Sequence, residues 1–150
     1  MMDKIKELRE LTGAGVMDAK KALEETKGDI AKAVEIIKAK GLAKAESKSA
    51  REVNSGKVYC YTHAGGTAGA MIEVACETDF VAKTPEFDAL CKEIALQVVS
   101  MNPKDVDELM KQDYIRDGSK TIEALVKELI AKTGENIRIT RIARFKLGVE

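Results

Sequence analysis

Met71-Ile72-Glu73-Val74-Ala75-Cys76-Glu77-Thr78-Asp79-Phe80-Val81-Ala82-Lys83-Thr84-Pro85-Glu86-Phe87 passes from one structural period to another within a single short stretch. From Met71 to Cys76 the residues alternate as in a half-buried β-strand, with Ile72, Val74 and Cys76 on one face and Glu73 and Glu77 on the other. At Thr84 a helix begins: a threonine able to cap free amides, a proline suited to the first turn, then Glu86 and Asp88 complementing the positive end of the helix dipole. The residues between follow neither period. Asp79 and Phe80 therefore sit at a strand-to-helix corner, where a phenyl ring serves either as a plug for the local core or as a probe aimed at another molecule. The corner alone leaves both readings open.

Upstream, Lys57-Val58-Tyr59-Cys60-Tyr61-Thr62-His63 is rich in β-branched and aromatic residues, and Ala64-Gly65-Gly66-Thr67 supplies a turn. Together with the strand ending at Cys76 this predicts a β-hairpin. Gly65, Gly66 and Gly69 lack the Gly-Lys-Ser/Thr that would complete a phosphate-binding loop. His63 reads as an exposed or turn-packing histidine or as a contact residue, with no triad partners placed to make it a base. Downstream, Phe87, Leu90, Cys91, Ile94, Ala95, Val98 and Met101 form one helical stripe that Asn102-Pro103 ends. Residues 104–118 are charged and weakly periodic, predicting one short helical turn and a loop. Residues 119–133 predict a helix with Ile122, Leu125, Val126, Leu129 and Ile130 inward and Gly134 at its C-cap. Residues 136–147 predict a strand carrying Ile137, Ile139, Ala143, Phe145 and Leu147 in one phase. Arg141 and Ile142 fall out of phase, which a bulge or an edge position would reconcile. The order β-β-α-α-β predicts an α+β domain over residues 57–150: a three-stranded antiparallel sheet with helices on one face. A sheet so small has two edges to protect, and a second copy of the chain would protect them.

Toward the N-terminus, Ile5, Leu8 and Leu11 mark one short helix, and Val16, Ala19, Ala22 and Leu23 a second after Gly13-Ala14-Gly15. Asp29 caps a third, with Ile30, Ala33, Val34 and Ile37 inward and Gly41 at its end. Residues 1–41 thus predict a compact three-helix bundle, which resembles the ubiquitin-associated (UBA) type. Residues 42–56, rich in Ala, Lys, Ser and Glu, read as a semi-flexible linker whose first half extends the third helix.

The bulk composition sets limits. Among 150 residues, 25 basic and 25 acidic side chains cancel, which argues against direct nucleic-acid binding over the whole surface. No apolar run approaches bilayer-spanning length, and the first residues lack a signal-peptide pattern, so a cytoplasmic protein without membrane attachment is expected. Cys60, Cys76 and Cys91 are widely spaced and read as buried thiols of a reducing compartment. With His63 they have no zinc-site spacing. No metal, cofactor or enzyme active site is expected.

Two stretches carry a resemblance. Leu8-Arg9-Glu10-Leu11-Thr12-Gly13-Ala14-Gly15-Val16-Met17-Asp18-Ala19-Lys20-Lys21-Ala22-Leu23 and Glu73-Val74-Ala75-Cys76-Glu77-Thr78-Asp79-Phe80-Val81-Ala82-Lys83 resemble the two signatures of the elongation factor Ts family. Residues 120–148 are similar to the close of that family's core. Ala19, Thr67 and Ala75 depart from its usual Cys, Arg and Asn. The resemblance implies a translation factor that speeds GDP release from elongation factor Tu without covalent chemistry. Asp79 and Phe80, flanked by Thr78 and Val81, would enter the partner near its Mg²⁺ site. Gly13, Ala14, Gly15, Val16, Met17 and Lys20, with His63, would make further contacts. A chain with a single core resembles the family's short members, which act as homodimers. The alternative reading, a UBA-like peptide- or ubiquitin-binding module on a dimeric scaffold, leaves Asp79-Phe80 without a task. A hydrolase built on His63 or Cys76 lacks a base–nucleophile–orienter set.

Overall fold

A computed structural model of the protein describes residues 1–149. Three helices come first, α1 (Met2–Thr12), α2 (Val16–Glu25) and α3 (Ile30–Ser47). A hairpin of β1 (Ser55–His63) and β2 (Ala68–Cys76) leads into the single turn α4 (Asp79–Ala82) and the long α5 (Pro85–Met101). Then follow α6 (Val106–Lys111), a small ladder of β3 (Asp113–Tyr114) and β4 (Asp117–Thr121), α7 (Ile122–Thr133) and β5 (Ile137–Lys146). The expected α+β architecture is present: a helical N-terminus, then a three-stranded antiparallel sheet in the order β1-β2-β5.

The N-terminal helices close over a small core of Ile5, Leu8, Ala19, Ala22, Leu23 and Ala33, with Ile30, Val34 and Ile37 packed against it. Leu11 and Val16, expected inside, are exposed. They flank the turn at the tip of the bundle. Gly41 does not end the third helix. The helix continues to Ser47, and its Ala45 is buried in the larger core of the sheet domain. A Cβ at Gly41 would lie 3.1 Å from the Cβ of Ala131 on α7. The glycine thus lets two helices approach closely, at a helix-propensity cost of about 1 kcal/mol.

One face of the sheet is covered by α5 and α7. Ile72, Val74, Cys76, Ile137 and Ile139 from the strands meet Phe87, Ile94, Val98, Ile122 and Val126 from the helices, all buried. Gly56, the second residue of β1, has φ 139°, and a Cβ there would collide with the Val74 carbonyl oxygen, so the close approach of β1 to β2 needs glycine.

The bulge expected in the last strand lies at Thr140. Glu73 pairs with Arg141 and Val74 with Ile139, which leaves Thr140 as the extra residue. One inserted residue reverses the faces beyond it. Ile137 and Ile139 point into the core, Ile142 then takes the inner face, and Ala143 and Phe145 turn outward. This corrects the expected single phase for Ala143, Phe145 and Ile137. Arg144, expected outside, is half-buried and donates Nε–H to the Val99 carbonyl at 2.9 Å.

Residues 104–118 hold more than a turn and a loop. The β3–β4 ladder occupies 113–121, and the helix expected from 119 starts at Ile122, capped by the Thr121 hydroxyl. Gln97, fully buried on the inner side of α5, organises this hairpin. Its amide donates to Gln112 Oε1 (3.2 Å) and the Asp113 carbonyl (3.0 Å) and accepts from the Ile115 N–H (3.0 Å). A buried amide satisfied on both sides locks backbone that has little apolar weight of its own. Tyr114 donates to Glu93 at 2.7 Å, and burial, reinforced by that bond, pushes its phenol up to about 12.

Of the three thiols expected to be buried, Cys76 and Cys91 are, but Cys60 is exposed on the outer sheet face. Burial raises both inner thiols, Cys91 to about 12.

Candidate functional site

The corner after β2 is built by two threonines. The hydroxyl of Thr78 caps α4 by accepting the Val81 N–H, and that of Thr84 caps α5 by accepting the Phe87 N–H at 3.2 Å. Thr84 also donates to the Val81 carbonyl at 2.7 Å, which closes the short turn onto the start of the long helix. A four-residue helix makes too few internal bonds to persist alone, so these caps and the core beneath it hold α4 in place. Val81 and Ala82 point into that core. Val81 therefore anchors the turn from its inner side.

Asp79 and Phe80 point the other way. Phe80 is 81% exposed, and its turn packs against the hairpin and α5 without drawing the ring inside. Asp79 pairs across one helical turn with Lys83 at 3.2 Å, both well exposed. A surface pair of this kind contributes little stability. It leaves a carboxylate and a phenyl ring side by side, projecting into solvent from a rigid base. The reading of Phe80 as a core plug is excluded by this exposure.

Behind the corner lies a set of hydrogen bonds that the sequence did not announce. Glu135, in the link from α7 to β5, accepts the Thr78 N–H at 2.9 Å and the Thr78 hydroxyl at 2.6 Å. Glu77 in return accepts the Asn136 N–H at 2.7 Å. The buried Asn136 amide donates to the Arg51 and Ser49 carbonyls, at 2.8 and 3.3 Å. Arg51 reaches Glu77 Oε1 (3.5 Å) and the Gly134 carbonyl (3.4 Å). The end of the α3 segment, the end of α7 and the corner are thereby tied together. The one visible signal was Gly134 as a helix stop: its φ of 76° turns Glu135 and Asn136 toward the corner.

The N-terminal candidates gather at one tip. Gly13 ends α1 in the left-handed conformation with φ 69°, and Gly15 precedes α2 in an extended one. Ala14 accepts a bond from Arg9 Nε at 3.2 Å. Val16 and Met17 are exposed beside Leu11, and Lys20 pairs loosely with Glu24 at 3.8 Å. Gly13 lies against the Lys132 side chain, so the tip and the Asp79–Phe80 corner both adjoin the C-terminal end of α7. His63 is elsewhere. It pairs with Ala68 at the far end of the hairpin, roughly 25 Å of strand from Cys76, and its Nδ1 is 2.9 Å from the Tyr61 hydroxyl.

Among the described residues no cluster of His, Cys, Asp and Glu is arranged to hold a metal ion, and no helix is long and apolar enough to cross a membrane. A family model described as elongation factor TS matches residues 77–149, which begins at the corner. Over nearly the whole chain, similar curated proteins are elongation factor Ts of Thermotoga neapolitana, 43% identical over 99% of this chain and 98% of the relative, and that of Leptospira biflexa, 42% identical over 97% and 96%. The chain belongs to the elongation factor Ts family. It is accordingly an elongation factor of protein synthesis. The alignment with the Thermotoga relative runs over 192 residues against the 150 of this chain, so roughly forty internal positions of that elongation factor Ts have no counterpart here.

Proposed function

We propose that this protein accelerates release of GDP from elongation factor Tu, with Asp79 and Phe80 as the inserting pair. The observation that carries the reading is the exposure of Phe80 on a corner whose base is fixed. A solvent-exposed phenyl ring gains about 2 kcal/mol or more on entering an apolar pocket. It gains this only in the partner conformation where the pocket is open, so its binding shifts the partner toward that conformation. Opening near the partner's Mg²⁺ site loosens the metal, leaves the β-phosphate charge less compensated, and weakens GDP. By linkage, GDP weakens the factor to the same degree, which lets the complex turn over. The factor itself carries out no bond-making step.

The division of labour follows the sequence reading. Residues 1–41 hold the partner through the tip around Gly13, Ala14, Gly15, Val16, Met17 and Lys20. Residues 42–56 connect, and residues 57–150 carry the inserting corner. The protein works in the cytoplasm, without direct nucleic-acid or membrane contact and without a cofactor. His63, remote from the corner along the hairpin, would touch a different part of elongation factor Tu.

We also propose a homodimer. The outer sheet face carries Val58, Cys60, Met71, Ala143 and Phe145 in adjoining rows of the register. A second copy would cover that apolar surface.

The test is stopped-flow release of a fluorescent GDP analogue from elongation factor Tu. Acceleration that rises with factor concentration to a plateau is the expected result. A release rate indistinguishable from that of elongation factor Tu alone would sink the exchange-factor reading.

A further inference from the structure

We propose that Glu135 is a positioning residue for nucleotide exchange: its carboxylate clamps Thr78 and so sets the direction in which Phe80 projects. The proposal rests on the exchange-factor reading and adds to it a residue remote in sequence from the inserting pair.

The geometry is that of a two-point clamp. One carboxylate oxygen takes the Thr78 amide proton at 2.9 Å and the other takes its hydroxyl proton at 2.6 Å. Hydrogen bonds to an ionised acceptor are about twice as strong as neutral ones. The hydroxyl has a single proton, and Glu135 fixes where it goes. The oxygen lone pairs are thereby left facing the Val81 N–H, the bond that caps α4. The Thr78 carbonyl is also engaged, by the Ala82 N–H at 3.3 Å and the Cys76 thiol at 3.1 Å. Thr78 is thus held at its amide, its carbonyl and its hydroxyl, two residues before a ring that has no tie of its own.

Glu135 is itself anchored. Gly134 fixes the turn before it, the Glu135 N–H donates to the Thr133 hydroxyl at 3.3 Å, and Asn136 after it is buried and bonded to Glu77 and to the Ser49 and Arg51 carbonyls just past α3. The clamp therefore refers the corner to α7 and to the turn that follows α3, not only to its own strand. A turn of four residues has no stiffness to aim a side chain unaided. Aim matters because misplacing an inserting group loses the open-state contact while leaving the rest of the interface intact.

The test separates aim from affinity and from stability. Glu135→Gln keeps the shape and one acceptor but presents an N–H where the Thr78 hydroxyl now gives its proton, which competes with the cap. In stopped-flow titrations of the full chain against elongation factor Tu loaded with fluorescent GDP, the plateau release rate is expected to fall about tenfold. The half-saturating concentration, set mainly by the N-terminal tip, should stay near the wild-type value, and the melting temperature should fall by only a few degrees, leaving the protein folded at the assay temperature. Thr78→Val, which removes the hydroxyl but not the bulk, should lower the plateau similarly. The double variant should be no worse than either single one, since both break one linkage. A wild-type plateau for Glu135→Gln, additive losses, or a loss seen only as weaker half-saturation or lower melting would overturn the proposal. If Phe80→Ala is defective while Glu135→Gln is not, the exchange-factor reading survives and only the clamp is lost. No acceleration by the wild-type protein removes both.

Discussion

Phe80 on α4 and Phe145 on β5 are exposed to the same degree, 81% and 80%, yet they sit in opposite kinds of surroundings. Phe80 stands alone, beside an ion pair, on a turn clamped from behind by two threonine caps and Glu135. Phe145 lies on the outer sheet face, where its row neighbours on β2 and β1 are Gly69 and Thr62 and the next row holds Ala143, Met71 and Cys60. An isolated ring on a fixed base has little value as a surface and is suited to entering a pocket. A ring within an apolar face is suited to being covered. Under the proposed reading the difference separates two partners for one chain: a GTPase met by a point and a second copy met by a plane.

The largest effect tests the plane. Phe145→Glu places a charge on both sides of a two-fold contact, so its loss counts twice, about 4 kcal/mol or roughly a thousandfold in the dimer dissociation constant. Sedimentation over a concentration series should show a dimer for the wild type and a monomer for the variant. A wild-type monomer throughout would refute the pairing. Next comes the point: Phe80→Ala should lower the plateau rate of GDP release by about 30-fold, the kinetic equivalent of about 2 kcal/mol. Because the ring is outside the core, thermal melting should not move. Equal rates for variant and wild type would return Phe80 to an unassigned surface residue.

A smaller change concerns the base of the corner. Thr84→Ala removes the cap of α5 and the tie to Val81 and should destabilise the protein by about 1 kcal/mol in urea unfolding. No change in the unfolding midpoint would mean that α5 is held by its core face alone. The smallest effect is a labelling difference. At pH 8 iodoacetamide should modify Cys60 and spare Cys76 and Cys91, whose thiols burial holds protonated, Cys91 up to about 12. Since Cys60 shares the outer face with Met71 and Phe145, its labelling should slow as protein concentration rises toward the dimer. Mass spectrometry reads this directly, and labelling of all three thiols in the native protein would contradict the burial.

Much of the frame was legible in the chain. Thr84-Pro85 started a helix where caps and a proline dictate one, Gly134 stopped another, and the period-two run into Cys76 set the inner face of β2. The corner was legible as a break between two periods. Its exposure was not, because a lone phenylalanine outside any period carries no sign of which way it turns. Gly41 misled for a related reason: glycine ends helices through positive φ and fills tight helix crossings through its missing Cβ, and only the neighbouring Ala131 distinguishes the two. The β3–β4 ladder buries one aromatic side chain, Tyr114, and is tied to α5 by the buried amide of Gln97, a contact between residues separated along the chain.

By itself the sequence determined the order of elements, their caps and the faces that had to be buried, since these follow from local propensity and from periods of 2 and 3.6 residues. Tertiary structure alone decided which way the leftover residues face. The bulge at Thr140 sent Phe145 outward, and the carboxylate of Glu135, 57 residues beyond Thr78, fixed the base of Phe80. Both depend on pairings between distant segments, and no local pattern in the chain records where a distant hydrogen-bond partner will arrive.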